Sequence, residues 1–210
     1  MARVRKGVRY GLICLSACAI WVGVRSVAPY ADAMPTSDRR VILDVPHLEQ
    51  ETLLCVPTAA AMILQYYRDA QSPRKLKTLA SGREYDPNLP FDDFTITYYR
   101  DLVRAVQKLG YTWSEQSIPD TNTGFDAGIH EIEDEIERGR PVMVDVSFES
   151  GGHTFVIEGF DSASRKLFIV DPGRKGSGLN VESYDEFKAI WNEHSWNGNF
   201  RALIKTQPKQ

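Results

Sequence analysis

The period of the hydrophobic pattern changes once along these 210 residues, and that change limits the fold more than any other feature. From Pro57 to Tyr67, apolar residues recur at Ala59, Met62, Ile63, Tyr66 and Tyr67, the spacing of one helix face. Pro57 suits a first helical turn, where its missing N–H costs nothing. Leu102, Val103, Val106 and Leu109 predict a second helix near 95–109, with Gly110 as its stop. Ile129, Ile132 and Ile136 predict a third near 126–138, whose acidic opposite side reads as a solvated face. After Pro141 the period becomes two. Val142, Val144, Val146 and Phe148 alternate with other residues, and strands follow at His153–Phe160 and Leu167–Val170, joined by Ser162-Ala163-Ser164. A short helix near Tyr184–Trp191 and a strand at Phe200–Lys205 close the chain, and Val41–Leu43 predicts a short strand near its start. Residues 72–94 hold Pro73, Gly82, Pro87 and Pro90 and predict an irregular excursion; residues 114–124 read as a loop. Helices first and strands afterwards predict an α+β domain, with N-terminal helices packed on a C-terminal antiparallel sheet.

The first 33 residues do not belong to that pattern. Arg3, Arg5, Lys6 and Arg9 precede an uninterrupted small and apolar run over residues 11–24, and Ala31-Asp32-Ala33 supplies a small-x-small site. A basic start, a short apolar run and such a site are the marks of a secretory signal. The expectation is an exported protein, periplasmic or secreted, with a mature start at Met34, a polar tether over 34–40 and one domain over 41–207. Leu15-Ser16-Ala17-Cys18 resembles a bacterial lipobox, so lipidation at Cys18 and an uncleaved membrane anchor stay open as alternatives.

Five of the 25 basic and one of the 28 acidic residues lie before Met34, which leaves 20 against 27 and a net charge of −7. With no basic stripe, a nucleic-acid partner has no electrostatic support, and the negative field favours neutral or basic substrates. Contact with a membrane is expected only through the N-terminal segment. Of the three cysteines, Cys14 and Cys18 leave with the signal, so only Cys55 remains. A lone thiol in an oxidising compartment needs a reason, and a reactive cysteine is one.

Cys55 lies two residues before Pro57, at a helix start whose unpaired N–H groups and macrodipole favour the thiolate. His153 opens one strand and Asp171 closes the next, so a hairpin makes them neighbours. A carboxylate that orients imidazole, and an imidazole that activates a thiol, form the apparatus of acyl transfer. His47, His130 and His194 fit surface or supporting positions better. A Cys55/His153 zinc site is the metal alternative, with two ligands only. There is no phosphate loop or paired-cysteine spacing, and the chemistry calls for no metal or organic cofactor.

Three blocks carry a resemblance: Gln50-x4-Cys55-Val-Pro-Thr-Ala-Ala-Ala-Met62, Gly151-Gly-His153-Thr-Phe-Val-Ile-Glu-Gly-Phe-Asp161, and Phe168-Ile-Val-Asp171-Pro-Gly173. In this order they resemble papain-like cysteine peptidases, and among them the bacteriocin-processing, or double-glycine leader, peptidases. The resemblance implies a papain-like fold, Cys55 as nucleophile, His153 as base, Asp171 as orienter, and Gln50 as oxyanion-hole donor beside the Cys55 backbone N–H. Two departures stand out. The family usually places its glutamine six residues before the cysteine rather than five, which leaves Glu49 as an alternative, and it often has glycine where this chain has Val56. The implied substrate is a peptide or protein. An acyl transferase on the same triad and an inactive papain-like binding module remain alternatives, and the oligomeric state is unassigned.

Overall fold

In chain order the elements are β1 (Arg40–Ile42), α1 (Cys55–Tyr66), α2 (Pro73–Ser81), α3 (Tyr99–Lys108), β2 (Ser114–Pro119), α4 (Asn122–Glu137), β3 (Val142–Phe148), β4 (Gly151–Asp161), β5 (Lys166–Val170), β6 (Leu179–Ser183), α5 (Tyr184–Ile190) and β7 (Phe200–Lys205). They come from a computed structural model that describes residues 38–89, 95–148, 151–191 and 200–209. The export segment, Cys14, Cys18, the Met34 start and His194 lie outside the described residues.

Six strands form a sheet in the order β2-β7-β3-β4-β5-β6, and β1 joins it on β4. Every pairing is antiparallel. Successive strand side chains point to opposite faces, so the sheet feeds two cores. Met143, Val156, Val170 and Ile204 meet α1, Leu76 of α2 and Leu102 and Val106 of α3. Val142, Val144, Val146, Phe155 and Ile157 meet Phe125, Ile129 and Ile132 of α4 and Phe187 of α5. The α+β expectation with an antiparallel sheet holds, with helices on both faces of the sheet.

Five local readings change. The excursion from residue 72 begins with a helix, because the residues read as breakers punctuate its ends. Ser72 caps it by accepting from the Lys75 N–H at 3.1 Å, Pro73 is its first residue, and Gly82 closes it at φ 68°. Residues 114–119 form a strand on β7 rather than a loop; only Ile118 is buried there, so no alternation signals it. β6, unanticipated, pairs with β5. The acidic side of α4 is not simply solvated: Glu133 and Glu135 are 3% and 2% exposed. Glu133 pairs with Arg39 at 2.7 Å and accepts from the Tyr184 hydroxyl, while Glu135 pairs with Arg140 at 2.7 Å. Arg39 also exchanges backbone and hydroxyl hydrogen bonds with Ser162, so the last two residues of the expected tether belong to the folded domain.

The β4–β5 register shifts between Ile157 and Gly159, a bulge at Glu158. Gly159 lies opposite Ile42, and a Cβ there would stand 2.6 Å from the Val41 carbonyl oxygen and 2.9 Å from the Ile42 Cα. Both obstacles are backbone, so they cannot swing away. Gly159→Ala is therefore expected to destabilise the domain by about 1–3 kcal/mol, read as a lowered midpoint in denaturant. An unchanged midpoint would mean that β1 is dispensable.

Candidate active site

Helix α1 starts at Cys55, two residues earlier than Pro57 suggested, which makes the thiol-bearing residue the first of the helix. Its N-cap, Leu54, offers no side-chain hydrogen bond, so the first amides of α1 have no cap competing for them. A tight turn precedes it. Leu53 adopts φ 60°, an uncommon conformation for a branched residue, and the Leu54 N–H returns to the Glu51 carbonyl at 3.1 Å. From Val56 to Leu64 every residue of α1 is buried, so the half-buried thiol sits on a helix enclosed on all sides.

The hairpin performs the approximation its spacing suggested. Val156 pairs with Val170, so the residue after β5 arrives beside the start of β4. There His153 Nε2 lies 2.6 Å from Asp171 Oδ1. The same oxygen accepts from the Gly173 N–H at 2.7 Å, and Arg174 Nε stands 3.7 Å from Oδ2. With Nε2 committed to Asp171, Nδ1 is the ring nitrogen left for the Cys55 thiol, His153's other hydrogen-bonding partner. Burial alone would push the imidazole pKa down, but hydrogen bonds to Asp171 and Cys55, with the charges behind them, raise it to about 9. Burial would likewise raise the Asp171 carboxyl; the His153 hydrogen bond and charge, the Gly173 amide and Arg174 outweigh it and hold it below the ordinary carboxylate value.

Gln50 lies on the same side of the site. Its N–H donates to the Pro172 carbonyl at 2.8 Å, and its side-chain oxygen is buried without a hydrogen-bond partner. Glu49, the alternative, is exposed. His47 supports the site from behind, with Nε2 3.1 Å from the Asp171 carbonyl oxygen. His130 is on the surface of α4, 3.7 Å from Glu133. Among the described residues no group of three His, Cys, Asp or Glu side chains is arranged to hold a metal. A cavity of about 540 Å³ opens against Cys55 and His153.

A family model described as the Peptidase_C39 like family matches residues 42–198. The chain belongs to that family. No curated protein sequence matches it. Among solved structures, the peptidase domain of Streptococcus ComA, described as a bi-functional ABC transporter involved in a quorum sensing pathway, is 21% identical with a TM-score of 0.52, covering 78% of this chain and 100% of that one. Xylellain, a cysteine protease from Xylella fastidiosa, is 11% identical with a TM-score of 0.51, covering 81% of this chain and 86% of that one. At those identities the likeness concerns the fold, which is that of papain-like C39 cysteine peptidases. The chain is accordingly a cysteine-type peptidase.

Some residues that build this peptidase's site escaped the sequence reading. Glu158 is 5% exposed; its backbone carbonyl and its carboxylate accept from the Leu43 and Val45 N–H groups at 2.7 and 3.1 Å. The signal was an acid inside the apolar run His153–Phe160. Asp145 interrupts Val142–Val146 in the same way, and Thr97 and Tyr99 carried no signal at all.

The His153–Asp171 pair sets a stability window. Because the folded His153 pKa lies above its ordinary 6.5, its contribution is complete below that value and is lost as pH rises through about 9. Because the folded Asp171 pKa lies below 3.8, its share is present above that value and is lost only as pH falls beneath it. Wild type is expected to exceed Asp171→Asn in stability at pH 6, with the margin narrowed by about pH 10, where only the Asp171 share remains. Denaturant midpoints at several pH values read this directly, and a margin undiminished at pH 10 would remove the imidazolium from the pair.

Proposed function

We propose that this peptidase hydrolyses peptide bonds through a Cys55–His153–Asp171 triad and a thioester acyl-enzyme. The observation that carries the reading is the 2.6 Å His153–Asp171 pair beside Cys55, with Cys55 and His153 on the wall of one cavity. Cys55 Sγ, as thiolate, attacks the substrate carbonyl carbon, and its lone pair becomes the C–S bond. The carbonyl π electrons move onto oxygen, facing the Cys55 backbone N–H and the Gln50 side-chain amide. On collapse the C–N bond breaks, and imidazolium gives its proton to the leaving nitrogen. Neutral His153 then takes a proton from water, hydroxide adds to the thioester, and the C–S bond breaks to release the carboxylic acid and thiolate. Asp171 fixes the ring and favours its protonated form. The buried, unpartnered oxygen of Gln50 supports its assignment, since an amide so placed directs its N–H groups elsewhere.

The reading extends to export. The basic and apolar N-terminal pattern supports a protein that leaves the cytoplasm and acts as a periplasmic or secreted enzyme. Intact mass of protein recovered from a bacterial host is expected to give a start at Met34. A lipid-modified Cys18 would place the enzyme on a membrane surface instead.

Cys55→Ala and His153→Ala are each expected to lower kcat/KM by about 10⁴-fold or more, with the double variant little worse than either. Asp171→Asn is expected to cost less, because it disturbs orientation and charge rather than bond making. Gln50→Ala should lower kcat by about 10²–10³-fold. The alkaline limb of kcat/KM should fall near pH 9, where His153 loses its proton. Iodoacetamide should label Cys55 in the folded protein, more slowly in His153→Ala. Labelling only after denaturation would end the nucleophile assignment. Products formed with and without an added amine separate hydrolysis from transfer.

A further inference from the structure

The turn that delivers Cys55 holds a residue that neither the backbone nor the core asks for. Leu53 adopts φ 60°, in the left-handed region that bulky residues rarely enter. A glycine would make the same turn without strain. Nor does burial account for the leucine, because it is 37% exposed. Such a conformation persists only where the surroundings impose it, and here they do. The Leu54 N–H closes the turn on the Glu51 carbonyl at 3.1 Å. The Glu51 carboxylate takes two donors of Arg74, at 2.8 and 2.5 Å. The Arg74 guanidinium stands 5.3 Å from the centre of the Tyr85 ring, and the Tyr85 hydroxyl donates to the Thr52 carbonyl at 2.9 Å. Residues 51 and 52 are thus anchored on α2 and the chain after it. The Leu53 side chain is left on the wall of the cavity that holds Cys55 and His153.

The carbon of that wall continues in Val56, Ile96 and Ala202. The acids that border the cavity are engaged within the protein: the Thr154 hydroxyl lies 3.5 Å from Asp145 Oδ1, and Asp145 and Glu115 both have further partners. Arg100 sets its guanidinium over the Tyr98 ring, 5.4 Å from its centre. A ligand side chain therefore gains most here by covering apolar surface, whose removal from water is favourable. A strained turn that holds a leucine in place before the ligand arrives lowers the ordering cost of that contact. We propose that Leu53 is a specificity-determining residue of this peptidase. It seats a bulky apolar side chain of the substrate peptide, at one fixed position beside the scissile bond, together with Val56, Ile96 and Ala202. The inference rests on the Cys55 triad reading, which places the reacting bond in this cavity. It adds a side-chain requirement that the triad itself does not impose.

The test uses the full chain and a proteome-derived peptide library cut at lysine, with the new cleavage sites read by mass spectrometry. Leucine, phenylalanine and methionine are expected at one fixed position flanking the cut, enriched about tenfold over serine, asparagine or glutamate there. Leu53→Gly and Leu53→Asn, both suited to φ 60°, should cut that enrichment to about twofold or less, and Leu53→Met should keep it. A distorted nucleophile would slow every cleavage alike, whereas a lost subsite removes the preference. The melting temperature of Leu53→Gly should equal or exceed that of wild type, because glycine adopts the turn without strain. If Leu53→Gly melts lower, the contrast between Leu53→Asn and Leu53→Met decides the matter. Wild-type cleavage with no apolar preference at a fixed position, or a preference that survives in both the Gly and the Asn variant, overturns the subsite and leaves the triad standing. Cleavage that persists in Cys55→Ala overturns the triad, and this inference with it.

Discussion

Between Ile42 and Cys55 the chain has no regular element, and four hydrogen bonds to the sheet set its course. The Leu43 and Val45 N–H groups bind the carbonyl and the carboxylate of Glu158. His47 donates to the Asp171 carbonyl and the Gln50 N–H to that of Pro172. Each bond taken singly is worth about 1 kcal/mol net. Their placement matters more than their sum, because they lay the segment that leads into α1 along the bulge of β4 and the turn after β5. The thiol is thereby delivered to the end of the hairpin that carries imidazole and carboxylate. Burial pushes the Glu158 carboxyl up, against the Val45 hydrogen bond that lowers it, so the clamp keeps a costly acid inside the fold.

The two halves of the site are held by different means. Cys55 is fixed by the helix it starts, buried from Val56 to Leu64 between the sheet and its neighbouring helices. His153 is fixed by strand pairing and by the short bond to Asp171, which is itself held by the Gly173 amide. A reacting group on a rigid element, oriented by a second layer of hydrogen bonds, keeps its geometry better than one on a loop. Here both Cys55 and His153 have such support, and Gln50 is tied to the same turn as Asp171.

The sequence already contained the parts that depend on period and on hairpin adjacency. The alternation over Val142–Phe148, the apolar strand from His153, and Asp171 at the end of the next strand were enough to bring imidazole and carboxylate together. Pro57 marked the first turn of α1 but not its first residue. Where the reading failed, one residue type served two purposes: Pro73 and Gly82 look like breakers and are the ends of α2. β2 lacks a signal because it is a polar strand with one buried residue, made a strand by pairing with β7 far along the chain. The floor of the cavity was invisible for the same reason. Glu115, Tyr99 and Asp145 come from three segments that only the finished fold unites.

The separation in sequence between the members of the site has a bearing on how the enzyme comes into being. Imidazole and carboxylate are 18 residues apart on one hairpin, a contact that a chain makes early and at little entropic cost. The thiol lies far upstream and joins them only where the segment across β4 is tied down, a long-range contact with a larger loop to close. The arrangement of thiol, imidazole and carboxylate is therefore complete only when that long-range contact is made.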